Sequence, residues 1–156
     1  MFIKNGFIKN GTDKIVNLAN VSNIYIDLHD NNSGKVIFNM NYSVKIFGDK
    51  ITPDYVYWNF GNFEALQSMK SLIEKNIENW IYPQEPGQRY VNPKCVSSIG
   101  MDNYKNRVIF NLNYNVTHPT KSDKLTSDFV FFNFPTKHKF ENFSNTLAQL
   151  NNKIYI

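Results

Sequence analysis

The sequence predicts an α+β protein made of two tandem copies of one β-β-β-β-α module. Each copy is an antiparallel sheet covered by one helix, and the two are related by a pseudo-twofold. Three observations carry this. Four stretches recur in the same order, 72–75 residues apart. Each copy alternates apolar and polar residues at period two. Each then switches to a period of three to four, the signature of an amphipathic helix.

The recurring stretches are collinear. Val16-Asn17 matches Val91-Asn92, and Val21-Ser22-Asn23-Ile24 matches Val96-Ser97-Ser98-Ile99. Lys35-Val36-Ile37-Phe38-Asn39-Met40-Asn41-Tyr42 matches Arg107-Val108-Ile109-Phe110-Asn111-Leu112-Asn113-Tyr114. Asp54-Tyr55-Val56-Tyr57-Trp58-Asn59-Phe60 matches Asp128-Phe129-Val130-Phe131-Phe132-Asn133-Phe134. The modules are placed at residues 1–81 and 90–156, with a linker at 82–89 that carries Pro83, Pro86 and Gly87. The two are expected to pack as one unit. A smaller doubling, Phe-Ile-Lys-Asn-Gly at residues 2–6 and again at 7–11, reads as an edge strand or ordered arm.

In chain order, a first strand is expected over residues 14–20. Residues 24–29 alternate, as does the longer run 35–47. There Val36, Phe38, Met40, Tyr42, Val44 and Ile46 share an inward face. Asp30-Asn31-Asn32-Ser33-Gly34 between them is hairpin-turn chemistry, and Asp102-Asn103-Tyr104-Lys105-Asn106 takes its place in copy two. There Val108, Phe110, Leu112, Tyr114 and Val116 point inward. A fourth strand covers 55–60. Phe63, Leu66, Met69, Ile73, Ile77 and Trp80 then form a helical stripe, N-capped by Asn62 with Glu64 in the first turn. Phe140, Phe143, Leu147, Leu150 and Ile154 repeat the stripe.

The chain has 156 residues, 42% of them hydrophobic, enough to bury a core. Its net charge of +4 is uneven. Residues 1–80 balance eight Lys against eight acids, while residues 81–156 hold nine cations against five acids. Such a balance permits a polyanionic partner without requiring one. The abundance of Asn and Lys fits an AT-rich genome. The single cysteine, Cys95, excludes an intrachain disulfide. No apolar run suits a signal peptide or a membrane span, so a cytoplasmic protein with no membrane partner is expected.

The sequence carries no catalytic or metal signature. His29, His118 and His138 have no ligand spacing to one another or to Cys95. There is no nucleophile elbow and no phosphate-binding glycine loop. A non-enzymatic protein without a cofactor or metal is expected.

The outward sheet face is the more informative surface. If Val56, Trp58 and Phe60 meet the helix, Tyr55, Tyr57 and Asn59 point away, as do Phe129, Phe131 and Asn133. The same parity places Tyr25, Lys35, Asn39, Asn41, Lys45, Arg107, Asn111 and Asn113 there. Rings that can stack on bases, amides for base edges and cations for phosphates are what a single strand of DNA or RNA needs. The candidate binding residues are Tyr25, Lys35, Asn39, Lys45, Tyr55, Tyr57, Arg107, Asn111, Phe129 and Phe131. The same face equally suits a protein-interaction module, a subunit or inhibitor of a larger assembly. The aromatics also suit a cover supplied by the other copy or by a second chain of a homo-oligomer.

The element order, and the hairpin Tyr25-Ile26-Asp27-Leu28-His29-Asp30-Asn31-Asn32-Ser33-Gly34-Lys35-Val36-Ile37-Phe38, resemble the Whirly and PUR-repeat group of single-stranded nucleic-acid-binding proteins. In that hairpin style a strand ends in an acidic-Asn turn, and Gly plus a basic residue open the next strand. Copy two departs from it, with Asn106-Arg107 where copy one has Gly34-Lys35. The resemblance implies nucleic-acid binding through the strands.

Overall fold

The computed structural model describes residues 2–3, 6–10, 15–29 and 32–154. Its elements run β1 (Phe2–Ile3), β2 (Phe7–Lys9), β3 (Ile15–Asn17), β4 (Val21–Leu28), β5 (Gly34–Lys45), β6 (Ile51–Phe60) and α1 (Phe63–Asn76). Then follow β7 (Tyr90–Val91), β8 (Val96–Asp102), β9 (Arg107–Thr117), β10 (Leu125–Asn133) and α2 (Lys137–Ile154). The protein is α+β, and among the described residues there are three antiparallel sheets, ordered β6-β5-β4-β7, β10-β9-β8 and β1-β2-β3.

The first strand of each half does not join its own sheet. The strand expected over 14–20 covers only β3, because Asn17 turns the chain into a 3-10 helix, Leu18–Asn20. The Asn17 Oδ1 accepts from Ala19 N at 3.1 Å. Asn92 does the same for Lys94 N at 3.1 Å, opening the turn Pro93–Cys95. β3 pairs with β2 rather than β4, and β4 takes β7 from the second half. Lys14, Asp30 and Asn31, named in the expected strand and turn, lie outside the described residues.

The inward row of β5 also differs from expectation. Val36, Phe38 and Met40 are buried, but Tyr42 and Ile46 are exposed and Val44 is half-buried. The pairing of β5 with β6 shifts register between Asn39 and Ser43, then continues to Lys45↔Ile51. The hairpin therefore runs on past the core, β6 starts at Ile51 rather than at 55, and Phe47 at the tip is fully exposed. Tyr42 OH donates to Asp54 at 3.0 Å. Its counterpart Tyr114 is buried and donates to Asp128 at 2.6 Å.

Each helix lies over its sheet through most of the expected stripe, but Phe63, its first member in copy one, is exposed in the first turn of α1. Leu66, Met69, Ile73 and Ile77 are buried under α1, although the helix ends at Asn76 and Trp80 lies beyond it, partly buried. Asn62 caps α1, its Oδ1 accepting from Ala65 N at 2.8 Å. Phe140, Phe143 and Leu147 are buried under α2; the side chains of Leu150 and Ile154 are outside those described. Phe38 meets Trp58 edge-on at 4.8 Å, and Phe110 meets Phe132 edge-on at 4.9 Å. Each such fully buried side chain contributes about 1.5–3 kcal/mol.

The halves are joined by polar groups that satisfy one another. Asn92 N donates to Ser22 O at 2.8 Å, and Asn92 Nδ2 donates to Val21 O at 2.9 Å. Ser22 Oγ lies 3.3 Å from Tyr114 OH. Ile51 N donates to Thr117 Oγ1 at 2.8 Å. Ser22, Asn23 and Asn92 are buried here, so leaving one unpaired costs about 1–3 kcal/mol.

Gly34 opens β5 where a side chain has no room. An added Cβ would lie 2.4 Å from Asp27 O and 2.8 Å from Leu66 Cδ2. Gly34→Ala is expected to destabilise the protein by about 1–3 kcal/mol in denaturant unfolding. Gly61→Ala, where a Cβ meets nothing within 4 Å, is the near-neutral control.

Tyr114 and Tyr90 are held protonated above the ordinary tyrosine range, first by burial and then by their bonds to Asp128 and Glu74. The unfolded chain therefore loses these protons first as pH rises. Stability is expected to be full below about pH 10 and to fall above it. Tyr114→Phe should cost about 1 kcal/mol at neutral pH and flatten that alkaline decline, as followed by thermal melts across a pH series.

Candidate nucleic-acid interface

The strand registers arrange the outward residues of each large sheet into three rows. In the first sheet they are Asp27–Lys35–Asn59, Tyr25–Ile37–Tyr57 and Asn23–Asn39–Tyr55. In the second they are Asp102–Arg107–Asn133, Gly100–Ile109–Phe131 and Ser98–Asn111–Phe129. The rows match position by position: acid, cation and amide; then isoleucine beside an aromatic; then amide beside an aromatic. The main difference is Tyr25 in the first sheet where the second has Gly100.

The aromatics at the outer strand of each grid are paired, open on the first sheet and more covered on the second. Tyr55 and Tyr57 stack at 6.2 Å and are 57% and 53% exposed. Phe129 and Phe131 stack at 4.5 Å, with Phe129 37% exposed and Phe131 half-buried. Side chains two apart on a strand share a face, which sets each pair side by side.

Two guanidinium groups lie on these faces. The Arg107 guanidinium carbon lies 4.3 Å from the Phe131 ring centre, and its Nε donates to Asn133 Oδ1 at 2.7 Å. The Arg89 guanidinium carbon lies 5.0 Å from the Tyr25 ring centre, and its Nη1 donates to Asn23 Oδ1 at 3.1 Å. Stacked on a ring, each guanidinium keeps other N–H donors available. Burial pulls the Arg89 pKa below its usual value, opposed by nearby Tyr25 and Asp128. Among the described residues, Lys35, Arg89 and Arg107 make no ion pair.

The amides are already engaged. Asn39 Nδ2 donates to Asn23 Oδ1 at 2.9 Å, and Asn111 Nδ2 donates to Ser98 Oγ at 3.1 Å. Lys45 is not gathered with the rest. It lies past the register shift on the hairpin extension, paired with Asp49 at 3.1 Å. The other nine expected residues fall within the two grids. Asn113 is exposed outside its grid, donating to Lys94 O at 3.4 Å.

Arg89 was not among the expected binding residues. It sits at the end of the linker, and only the pairing of β7 with β4 carries it onto the first sheet's face.

Among the described residues no group of three His, Cys, Asp or Glu could hold a metal ion. His29 Nε2 lies 3.3 Å from Asp27 Oδ2, both partly solvent-facing. Cys95 is buried, which pushes its thiol pKa up and away from nucleophilic reactivity. No described helix is long and apolar enough to cross a membrane. No family model matches the chain, and no curated protein or solved structure matches it either.

Proposed function

We propose that this chain is a non-enzymatic, cytoplasmic protein that binds single-stranded DNA or RNA on the outward faces of its two large sheets. The observation that carries this reading is the repeated grid. Each face combines a stacked pair of aromatics with a guanidinium set over a ring and, among the described residues, held in no ion pair. A core explains why inward residues recur between halves; it does not explain the recurrence of an outward Asp, Lys or Arg, Asn, Ile and aromatic. A shared surface task does. The reading includes a tandem duplication with modules at 1–81 and 90–156 and a pseudo-twofold between them, as in the Whirly and PUR-repeat group. In it, Tyr55, Tyr57, Phe129 and Phe131 stack on bases, while Lys35, Arg89 and Arg107 meet phosphates.

A second reading is favoured by Ile37 and Ile109 at the grid centres and by the hydroxyl-free rings of Phe129 and Phe131. These suit an apolar protein partner, with the chain as a subunit or inhibitor of a larger assembly.

A titration of labelled single-stranded DNA and RNA across a salt series separates the two. Binding should weaken as salt rises, and Tyr57→Ala and Phe131→Ala should each lose about 1–3 kcal/mol of affinity. Arg107→Ala should lower the slope of log K against log salt by about 0.7. An absence of binding at low salt, or folded aromatic variants that bind as well as wild type, supports the protein partner instead.

A further inference from the structure

The two halves treat the outer edge of their first sheet strand differently. β4 and β8 each follow a 3-10 turn capped by Asn, and each pairs with the next strand through a shift at its start. Along β4 lies β7, with Asn23↔Val91 and Ile24↔Tyr90 in register. Beneath it Ser22 and Ile24 are 0% exposed. Along the outer edge of β8 no strand of the described residues pairs, and that sheet ends there. Ser97 and Ser98 are exposed, Ile99 is 37% exposed and Met101 42%.

An open edge exposes unpaired N–H and C=O groups and is ordinarily guarded by lysine, proline or inward charge. Residues 96–101, Val-Ser-Ser-Ile-Gly-Met, carry no charge and no proline. The register shift between Val96 and Ser98 offers no protection by itself. β4 has the same shift between Val21 and Asn23 and accepts β7 all the same.

We propose that β8 pairs antiparallel with β8 of a second copy of this chain, in a register centred on Ile99. That register sets Ile99 against Ile99, Ser97 against Met101, Ser98 against Gly100 and Val96 against Asp102. No like charges face each other. Ser144 Oγ of α2 lies 3.5 Å from Met101 Sδ, and Ile99 and Met101 stand opposite the buried Phe110 and Val108, so the Ile99–Met101 row lies on the helix-covered face. The two exposed apolar rows then bury one another beneath two α2 helices. On the opposite face Ser98 and Gly100 are small enough to leave it smooth, and the sheets join as β10-β9-β8-β8-β9-β10. It is this self-match, apolar at its centre and with no like charges opposed, that favours a second copy over a foreign strand. The proposal is independent of what the faces bind.

Light scattering of the full chain across a concentration series tests it. The wild type should approach twice the chain mass of 18.2 kDa. Ile99→Lys places two ammonium groups opposite each other and should raise the dimer dissociation constant at least about tenfold. Ile99→Glu should do the same, and mixing the two variants should restore the dimer mass. Amide exchange of the wild type at residues 97–101 should slow as concentration rises, a readout that needs no variant. A wild type that stays monomeric throughout, exchange that ignores concentration, or a folded Ile99→Lys chain that dimerises like wild type overturns the proposal.

Discussion

The pairing of β7 with β4 is the interaction on which the rest of the structure depends. Only two residues, Tyr90 and Val91, make it. They nevertheless link both cores, Tyr90 packing into the first cluster and Val91 into the second. Val91 also exchanges both backbone bonds with Ile81, so the linker is closed at its base by a ladder. Asn92 then donates to two first-half carbonyls, and Tyr90 OH donates to Glu74 on α1 at 2.6 Å. Strand, helix and linker are thus held by one short segment. A small segment can do this because the groups it meets are buried, where each unmade bond is costly.

The same pairing shapes the outer surface. It brings Arg89 over Tyr25 and beside Asn23, giving the first sheet a cation at the edge where the second sheet has none. In the second sheet the cation is in the middle strand, as Arg107 over Phe131. Each face therefore has a ring-supported guanidinium, reached by different routes. Ring support matters because a guanidinium fixed over an aromatic loses less freedom when it meets an anion. The faces differ in polarity as well. The outer-strand pair is tyrosine on the first sheet and phenylalanine on the second, so only the first pair of rings offers hydroxyls to a ligand.

Much of the fold is legible in the sequence because it follows local periodicity. The helix stripes from Leu66 and Phe140, the Asn62 cap and the alternation through Val36, Phe38 and Met40 are of this kind. The departures are long-range or depend on where the core ends. Tyr42 and Ile46 continue the alternation perfectly, yet the helix no longer covers them, and pattern alone cannot mark that limit. The partner of the first strand is equally invisible. Val16 and Val91 read alike, but one pairs with β2 and the other with β4. For the candidate site, parity sufficed for Tyr55, Tyr57, Phe129 and Phe131, because strand side chains alternate strictly. It misplaced Lys45, which lies beyond a register shift, and missed Arg89, whose place depends on a pairing across the chain.

The central claim is that the outward grids are the surface that meets a single-stranded nucleic acid. Photo-crosslinking of a thiouridine-bearing oligonucleotide, followed by mass mapping of the attached peptides, tests it most directly. The account predicts attachment at Tyr55, Tyr57, Phe129 and Phe131, on both sheets. Attachment confined to the hairpin tips or helices, or none at all, would contradict it.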